Sequence, residues 1–169
     1  MSQNQSHISV HNVKSEEDIG KVEALATEIW TEHYTPIIGI GQVQYMLENF
    51  QSFNAIEKQI SDGMSYFLLN FKGETSGYLA CKSDGEDLFL SKIYVLSKLR
   101  GKGMGSYAME FLSSLAREKG SRRLSLTVNK NNVDSIRAYE KLGFVNLGPL
   151  ETDIGGGFVM DDYVMKKTL

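Results

Sequence analysis

Two short stretches of this chain carry residues whose types and order suit chemistry. The first reads Arg100-Gly101-Lys102-Gly103-Met104-Gly105. Glycines let a backbone approach an anion closely, and Arg100 and Lys102 bring positive charge to the same corner. The apolar spacing Met104, Ala108, Phe111, Leu112, Leu115, Ala116 predicts a helix opening at this point. Its first-turn amides, from Met104 through Ser106, have no partner within the helix and point outward. Such a corner fits a pyrophosphate. A glycine-rich turn with solvated charges is the plainer alternative. A Walker loop is excluded because no Gly-Lys-Ser/Thr ending follows, and the Gly-x-Gly-x-Gly spacing is not that of a dinucleotide fold.

The second stretch, residues 131–144, reads NNVDSIRAYEKLGF. Asn132 can cap a following helix, Ser135 lies in its first turns, and Tyr139 stands four residues beyond Ser135 on the same face. A phenol placed there can donate a proton to a leaving group in a cleft above the helix. A half-buried tyrosine with a satisfied hydroxyl and an asparagine that only caps are the alternatives, and Asn131 could cap equally well.

The elements that position these groups follow from periodicity. Ile8, Val10 and Val13 suggest a short strand. Ser15-Glu16-Glu17 starts a helix with apolar residues Ile19, Val22, Leu25, Ala26, Ile29 and Trp30 on one stripe, and the segment Thr35-Pro36-Ile37-Ile38-Gly39 is expected to break it, Pro36 restraining the residue before it. Helices are predicted over about 41–50 and 53–60. Strands follow at 66–71, 77–82 and 88–95, with a turn at Lys72-Gly73-Glu74. After the glycine-rich helix, which Gly120 stops, come a strand at 124–128, a helix to about Leu142, and strands at 144–147 and 158–166. Three strands joined by tight hairpins and later strands alternating with helices make an α/β fold. Its sheet is mixed, mostly antiparallel and of about seven strands, with helices flanking it. One domain over 7–167 is expected.

Composition narrows the function classes. Eighteen Lys and Arg against 21 Asp and Glu leave a formal charge of −3, which disfavours a nucleic-acid partner gripped by a basic face. The single Cys81 rules out an internal disulfide and a cysteine-rich metal site, and the three histidines are too scattered for a metal. No apolar run approaches the roughly 20 residues of a membrane span, and the amino terminus lacks the layout of a secretory signal. The expectation is a cytoplasmic protein with no metal and no membrane partner.

Together the two stretches resemble the GCN5-related N-acetyltransferase (GNAT) superfamily. Residues 90–105, LSKIYVLSKLRGKGMG, are similar to that family's coenzyme signature through Arg100, Gly103 and Gly105. Residues 131–144 match its Asn-x-x-Ala…Tyr-x-Lys-x-Gly-Phe region, with Ser135 in place of alanine. A proline frequent after the fourth strand is absent, Ser97 or Lys98 standing there. The resemblance implies the family fold, acetyl-CoA as cosubstrate, and direct transfer of the acetyl group to a primary amine of a small molecule, peptide or protein. A non-catalytic acyl-CoA-binding domain is the alternative. It also implies that the fourth and fifth strands splay to admit the pantetheine arm, that backbone groups of Ile93, Tyr94 and Val95 bind that arm, and that Arg100, Gly101, Lys102, Gly103, Met104, Gly105 and Ser106 hold the pyrophosphate. Asn132, Ser135 and Tyr139 complete the coenzyme site, with Tyr139 as proton donor to the departing sulfur. A homodimer seam near Gly155-Gly156-Gly157 is compatible with the family.

On the acceptor side the signals are fewer. An alkylammonium, pKa around 10, must lose a proton before it can attack a thioester. Glu32 and His33, at the end of the first long helix with Glu28 and Tyr34, are candidate bases or amine anchors. Adjacent on a helix, they point about 100° apart, so only one is expected to face the coenzyme sulfur. Glu86 and Asp87, before the fourth strand, are further candidates. Lys92 could face either side of its strand, and Trp30 is expected in the core. His7 and His11 are given no role.

Overall fold

The computed structural model describes residues 7–169, the side chain of Lys92 excepted. The chain forms two compact units. Of the described residues, one takes 7–82 together with Lys92–Leu112, and the other takes Ser83–Ser91 with Ser113–Leu169.

The first unit contains β1 (Ile8–Asn12), α1 (Glu16–Ile38), α2 (Ile40–Phe50), α3 (Phe53–Ser61), β2 (Ser65–Phe71), most of β3 (Glu74–Asp84), the end of β4 (Asp87–Val95) and the start of α4 (Met104–Glu118). Its strands lie in the order β1-β2-β3-β4. The β2–β3 hairpin turns at Lys72 and Gly73, with φ of 52° and 80°, the left-handed pair that a two-residue hairpin wants. Helix α1 starts on a capping box between Ser15 and Asp18, with three acids in its first turn. The helix ends inside the segment expected to break it, two residues past Pro36. Proline so near the end removes only one ladder donor, and the helix runs on to Ile38 until Gly39, at φ 85°, turns the chain. Trp30 is buried as expected, its indole N–H donating to the Tyr78 hydroxyl at 3.0 Å. The Tyr78 hydroxyl in turn donates to Gln51 Oε1 at 2.7 Å, and burial raises its pKa well above the ordinary value. Cys81 is buried in β3.

The second unit contains the start of β4, the end of α4, β5 (Arg123–Asn129), α5 (Val133–Lys141), β6 (Val145–Gly155) and β7 (Phe158–Thr168). Its strand order is β4-β5-β7-β6. The parallel register between β4 and β5 runs from Asp87↔Arg123 to Leu90↔Leu126, and β5 pairs antiparallel with β7 along its whole length. Among the described residues the seven strands, mostly antiparallel with β4 and β5 parallel, match the expected class. One element departs from expectation: the strand read as 144–147 extends to Gly155. Gly148-Pro149 looks like a stop in sequence. Here Gly148 takes φ 112° at a register irregularity between Asn146 and Pro149, on an outer strand where proline costs little. The triple glycine is then a tight hairpin, with φ of 88°, 61° and 80° at Gly155, Gly156 and Gly157.

Candidate functional site

In the first unit the glycine-rich loop leads from a 3-10 turn, Ser97–Leu99, into α4. Gly101 and Gly103 hold φ of 78° and 83°, a region that other residues enter only with strain. Met104 is 2% exposed and anchors the helix start in the core, while Gly101 and Gly105 would meet nothing within 4 Å if given a Cβ. Open space thus lies over backbone whose amides from Met104 to Ser106 lack intrahelical acceptors; the first ladder bond here is Tyr107 N–H to Gly103 O, 3.0 Å. Arg100 and Lys102 are exposed beside it. These residues fit a diphosphate.

Upstream, Ile93, Tyr94 and Val95 are half-buried at the end of β4. The Tyr94 ring lies 5.4 Å from Trp30, 5.4 Å from Tyr78 and 5.9 Å from Tyr34. Gly77 in β3 has a role the sequence reading missed. A Cβ there would stand 2.4 Å from the Tyr94 carbonyl oxygen, so only glycine lets the two backbones approach this closely. The available signal was a lone glycine inside a strand pattern.

A cavity of about 280 Å³ opens between the end of α1 and this segment, lined by Ile29, Glu32, His33, Pro36, Val95, Ser97 and Arg100. Both Glu32 and His33 reach it. Their partners come from the opposite wall: Ser97 Oγ donates to Glu32 Oε1 at 2.9 Å, and Arg100 Nη2 lies 3.4 Å from His33 Nδ1. Tyr34 packs on Trp30 at 4.7 Å, and Glu28 faces solvent. The question of which way Lys92 points falls on a side chain outside the description. His11, given no role from sequence, sits 3.1 Å from Asp18 Oδ2. Burial would raise the Asp18 pKa, but hydrogen bonds from the Lys14 and Ser15 amides, His11 and the Ser15 hydroxyl outweigh that and bring it to about 2.

In the second unit Asn132 stands at the N-cap of α5 but its side chain does not cap. With φ −85° and ψ 66° it makes no side-chain cap bond, and its own N–H donates to Asn129 O at 3.0 Å. Asn129 instead organises the turn, its Oδ1 accepting from the Asn131 N–H at 2.9 Å. Asn132 is nevertheless 4% exposed, while Ser135 and Tyr139 are half-buried. The Tyr139 ring packs edge-on to Phe144 at 5.6 Å. Glu86 is exposed, 3.8 Å from Arg122. Asp87 is buried and held by Arg123 at 2.7 Å and Lys166 at 2.8 Å. Burial pushes its pKa up, but those two cations more than reverse the effect, so its carboxylate stays ionised and engaged. Asp162, not singled out from sequence, is 4% exposed. Its pKa is raised to about 6 by burial and then by the neighbouring Asp161. The hint in the sequence was an acidic pair set between Met160 and Tyr163 in a strand.

Among the described residues no group of three or more histidine, cysteine or acidic side chains could hold a metal, and no helix is long and apolar enough to cross a membrane.

A sequence model of the acetyltransferase (GNAT) family matches residues 23–144, which takes in the glycine-rich loop, β5 and α5. The chain belongs to this family. It is 31% identical over 104 residues to the uncharacterized N-acetyltransferase YdgE of Bacillus subtilis, an alignment covering 56% of this chain and 66% of that protein. It thus spans just under two thirds of that relative's length. The fold is shared with the PaiA N-acetyltransferase of Thermoplasma acidophilum, solved in complex with coenzyme A, at TM-score 0.81 and 19% identity over 100% of both chains. A GCN5-related N-acetyltransferase from Rhodopseudomonas palustris follows at TM-score 0.80 and 17% identity, covering 95% of each.

Proposed function

We propose that this GNAT-family protein transfers the acetyl group of acetyl-CoA directly to a primary amine carried by a small molecule, a peptide or a protein. The observation that carries the reading is the loop from Arg100 to Ser106, where two left-handed glycines expose the unpartnered first-turn amides of α4 to open space. Amides and two cations in that geometry bind a diphosphate through helix-start dipoles and charge together. The family's relatives are named N-acetyltransferases, and a fold neighbour was solved with coenzyme A. Both support the choice of cosubstrate.

When bound, the cosubstrate supplies an activated thioester. The chain's task is to orient it, exclude water and move protons. Backbone groups of Ile93, Tyr94 and Val95 align the pantetheine arm in this reading, with one amide placed to receive the charge that develops on the carbonyl oxygen. Glu32 and His33 form the wall of the cavity beside Arg100, where either can orient an approaching amine. Tyr139 protonates the departing thiolate, a modest demand because a thiol has pKa around 8.5. The lone buried Cys81 suits a reducing, cytoplasmic setting and has no part in acyl transfer.

The test is release of free thiol from acetyl-CoA across a panel of amines, paired with coenzyme A binding by calorimetry. Wild-type protein should turn over with at least one amine. Gly103→Val should weaken coenzyme A binding by more than tenfold, since valine cannot hold φ 83° without strain of about 1–2 kcal/mol and would crowd the amides. Unchanged affinity in the variant would overturn the loop assignment, and binding without turnover would favour a regulatory acyl-CoA-binding domain.

A further inference from the structure

Gly77 lies within β3 and is buried, a position where glycine weakens a strand. Its backbone does not ask for glycine, because Gly77 is not among the residues of positive φ. Space does. A Cβ there would stand 2.4 Å from the Tyr94 carbonyl oxygen, 3.4 Å from the carbonyl carbon and 3.2 Å from the Val95 Cα. All three atoms belong to backbone, so no side chain can turn aside to make room. In a regular ladder carbonyls lie in the plane of the sheet while each Cβ stands out of it. The Tyr94 carbonyl therefore tips out of that plane over the bare face of Gly77. A trans peptide sets its N–H opposite to its C=O, so the Val95 N–H tips the other way, off β3.

Two further contacts hold the segment at that depth. One residue on, the Leu96 N–H donates to the Ser76 carbonyl oxygen at 2.9 Å. The Tyr94 ring stands 5.4 Å from both Trp30 and Tyr78, two side chains joined by the 3.0 Å bond from the Trp30 indole N–H to the Tyr78 hydroxyl. The Tyr78 hydroxyl is anchored in turn on Gln51 Oε1 at 2.7 Å. The ring is held at one end and the Leu96 amide at the other, and the peptide between them rests against Gly77. A Cβ at this position would have to drive that peptide back by about 1 Å to reach van der Waals separation. With ring and amide held, the displacement falls on Tyr94 and Val95 themselves, beside the cavity that Val95 lines.

We propose that Gly77 is a positioning residue for acyl transfer: it sets the depth of the Tyr94–Val95 peptide, and with it the direction of the Val95 N–H, against the pantetheine arm. This rests on the acetyltransferase reading, in which that segment aligns the arm, and adds a residue of the neighbouring strand to it. A preoriented amide is effective only where it meets the position that the developing oxyanion will take. A misplacement of about 1 Å can cost a reaction about 100-fold, so a methyl group on β3 is enough to spoil the alignment without touching the ligand. The three atoms nearest that methyl all belong to Tyr94 and Val95, not to the loop from Arg100 to Ser106. Arm and diphosphate should therefore respond separately.

The experiment uses the full chain and two ligands, coenzyme A and adenosine 3′-phosphate 5′-diphosphate, the same molecule without its arm. Calorimetry gives the ratio of the two affinities, which measures what the arm adds. Gly77→Ala should lower that ratio at least tenfold and leave the arm-less affinity unchanged within twofold. Gly103→Val should weaken both ligands in parallel. With whichever of n-butylamine, 1,4-diaminobutane or an alanyl peptide the wild type acetylates, kcat of Gly77→Ala should fall about 100-fold. A glycine needed only for folding would lower the melting temperature and leave the ratio and the kcat of the folded protein as they are. That result overturns the role, and so does a parallel loss of both ligands in Gly77→Ala. Should Gly77→Ala fail to fold, Leu96→Pro carries the test. Leu96 has φ −54° and ψ 138°, which proline accepts, so the change deletes the N–H bonded to Ser76 and frees the end of the segment. Its ratio should fall as well, and an unchanged ratio overturns the proposal. A wild type that binds the two ligands equally overturns the role of Gly77 and leaves the loop assignment standing. One that binds neither overturns the coenzyme reading itself, and the role falls with it.

Discussion

Asp87 and Asp162 are buried to the same depth in the same unit, 5% and 4% exposed, yet their surroundings drive them in opposite directions. At Asp87, the start of β4, two cations converge at 2.7 and 2.8 Å and keep the carboxylate ionised. At Asp162, in β7, the residues in register, Asn129 and Leu150, carry no charge, and burial and then Asp161 raise the pKa to about 6. Burial sets how much is at stake for a charged group. The partners brought to it decide whether its pKa falls or rises.

The largest effect that would sharpen this contrast is at the paired acid. Asp87→Asn should destabilise the protein by about 3 kcal/mol in chemical denaturation at pH 7, the low end for breaking a buried pair because Arg123 and Lys166 are partly exposed and can rehydrate. The next concerns the unpaired acid and has the opposite sign. Asp162 has a raised folded pKa, so its stabilising protonated form is fully present below about pH 4, and that stability is lost as pH rises through 6. Asp162→Asn should therefore be more stable than the wild type by about 2 kcal/mol at pH 8, with the gap closing by pH 4. A variant no more stable than the wild type at pH 8 would break the comparison. Asp87 follows the reverse rule: its lowered pKa gives stability that is present above about pH 4 and lost as pH falls through the folded value. The smallest effect is at Lys166→Met, which leaves Asp87 one cation. It should cost about 1 kcal/mol and raise the pH at which acid unfolding begins.

The geometry of the loop proposed to hold the coenzyme was legible in the residues. Glycine can be read for its left-handed freedom wherever it precedes a periodic helix, and Gly101 and Gly103 adopt that conformation. Tyr139 and Ser135 share a helix face because spacing dictates it. The acceptor side was less legible. Glu32 and His33 point about 100° apart on their helix, and that Ser97 and Arg100, more than 60 residues away, meet both at one cavity is a tertiary fact. Asn132 was read as a cap because local sequence favours one, but the Asn129 side chain makes the turn instead. Pro36 lies in the segment expected to end the first long helix, and the strand expected to end at Leu147 runs on through Pro149. The helix end at Gly39 and the irregular outer strand at Gly148 absorb them.

The sequence by itself determined what is local: element type, the helix start at Met104, the capping box at Ser15, and the two motifs that resemble the family. These depend on backbone freedom and on side-chain spacing along a few turns, which the order of residues carries directly. Tertiary structure alone decided what depends on distant neighbours. Gly77 matters because a carbonyl 17 residues on passes over it, Asp87 is tied down because Arg123 and Lys166 arrive from two other strands, and Asp162 is left ionisable because Asn129 and Leu150 arrive instead. A pKa is a difference in solvation and field between two protonation states, and neither can be read until the chain has chosen what stands beside the group.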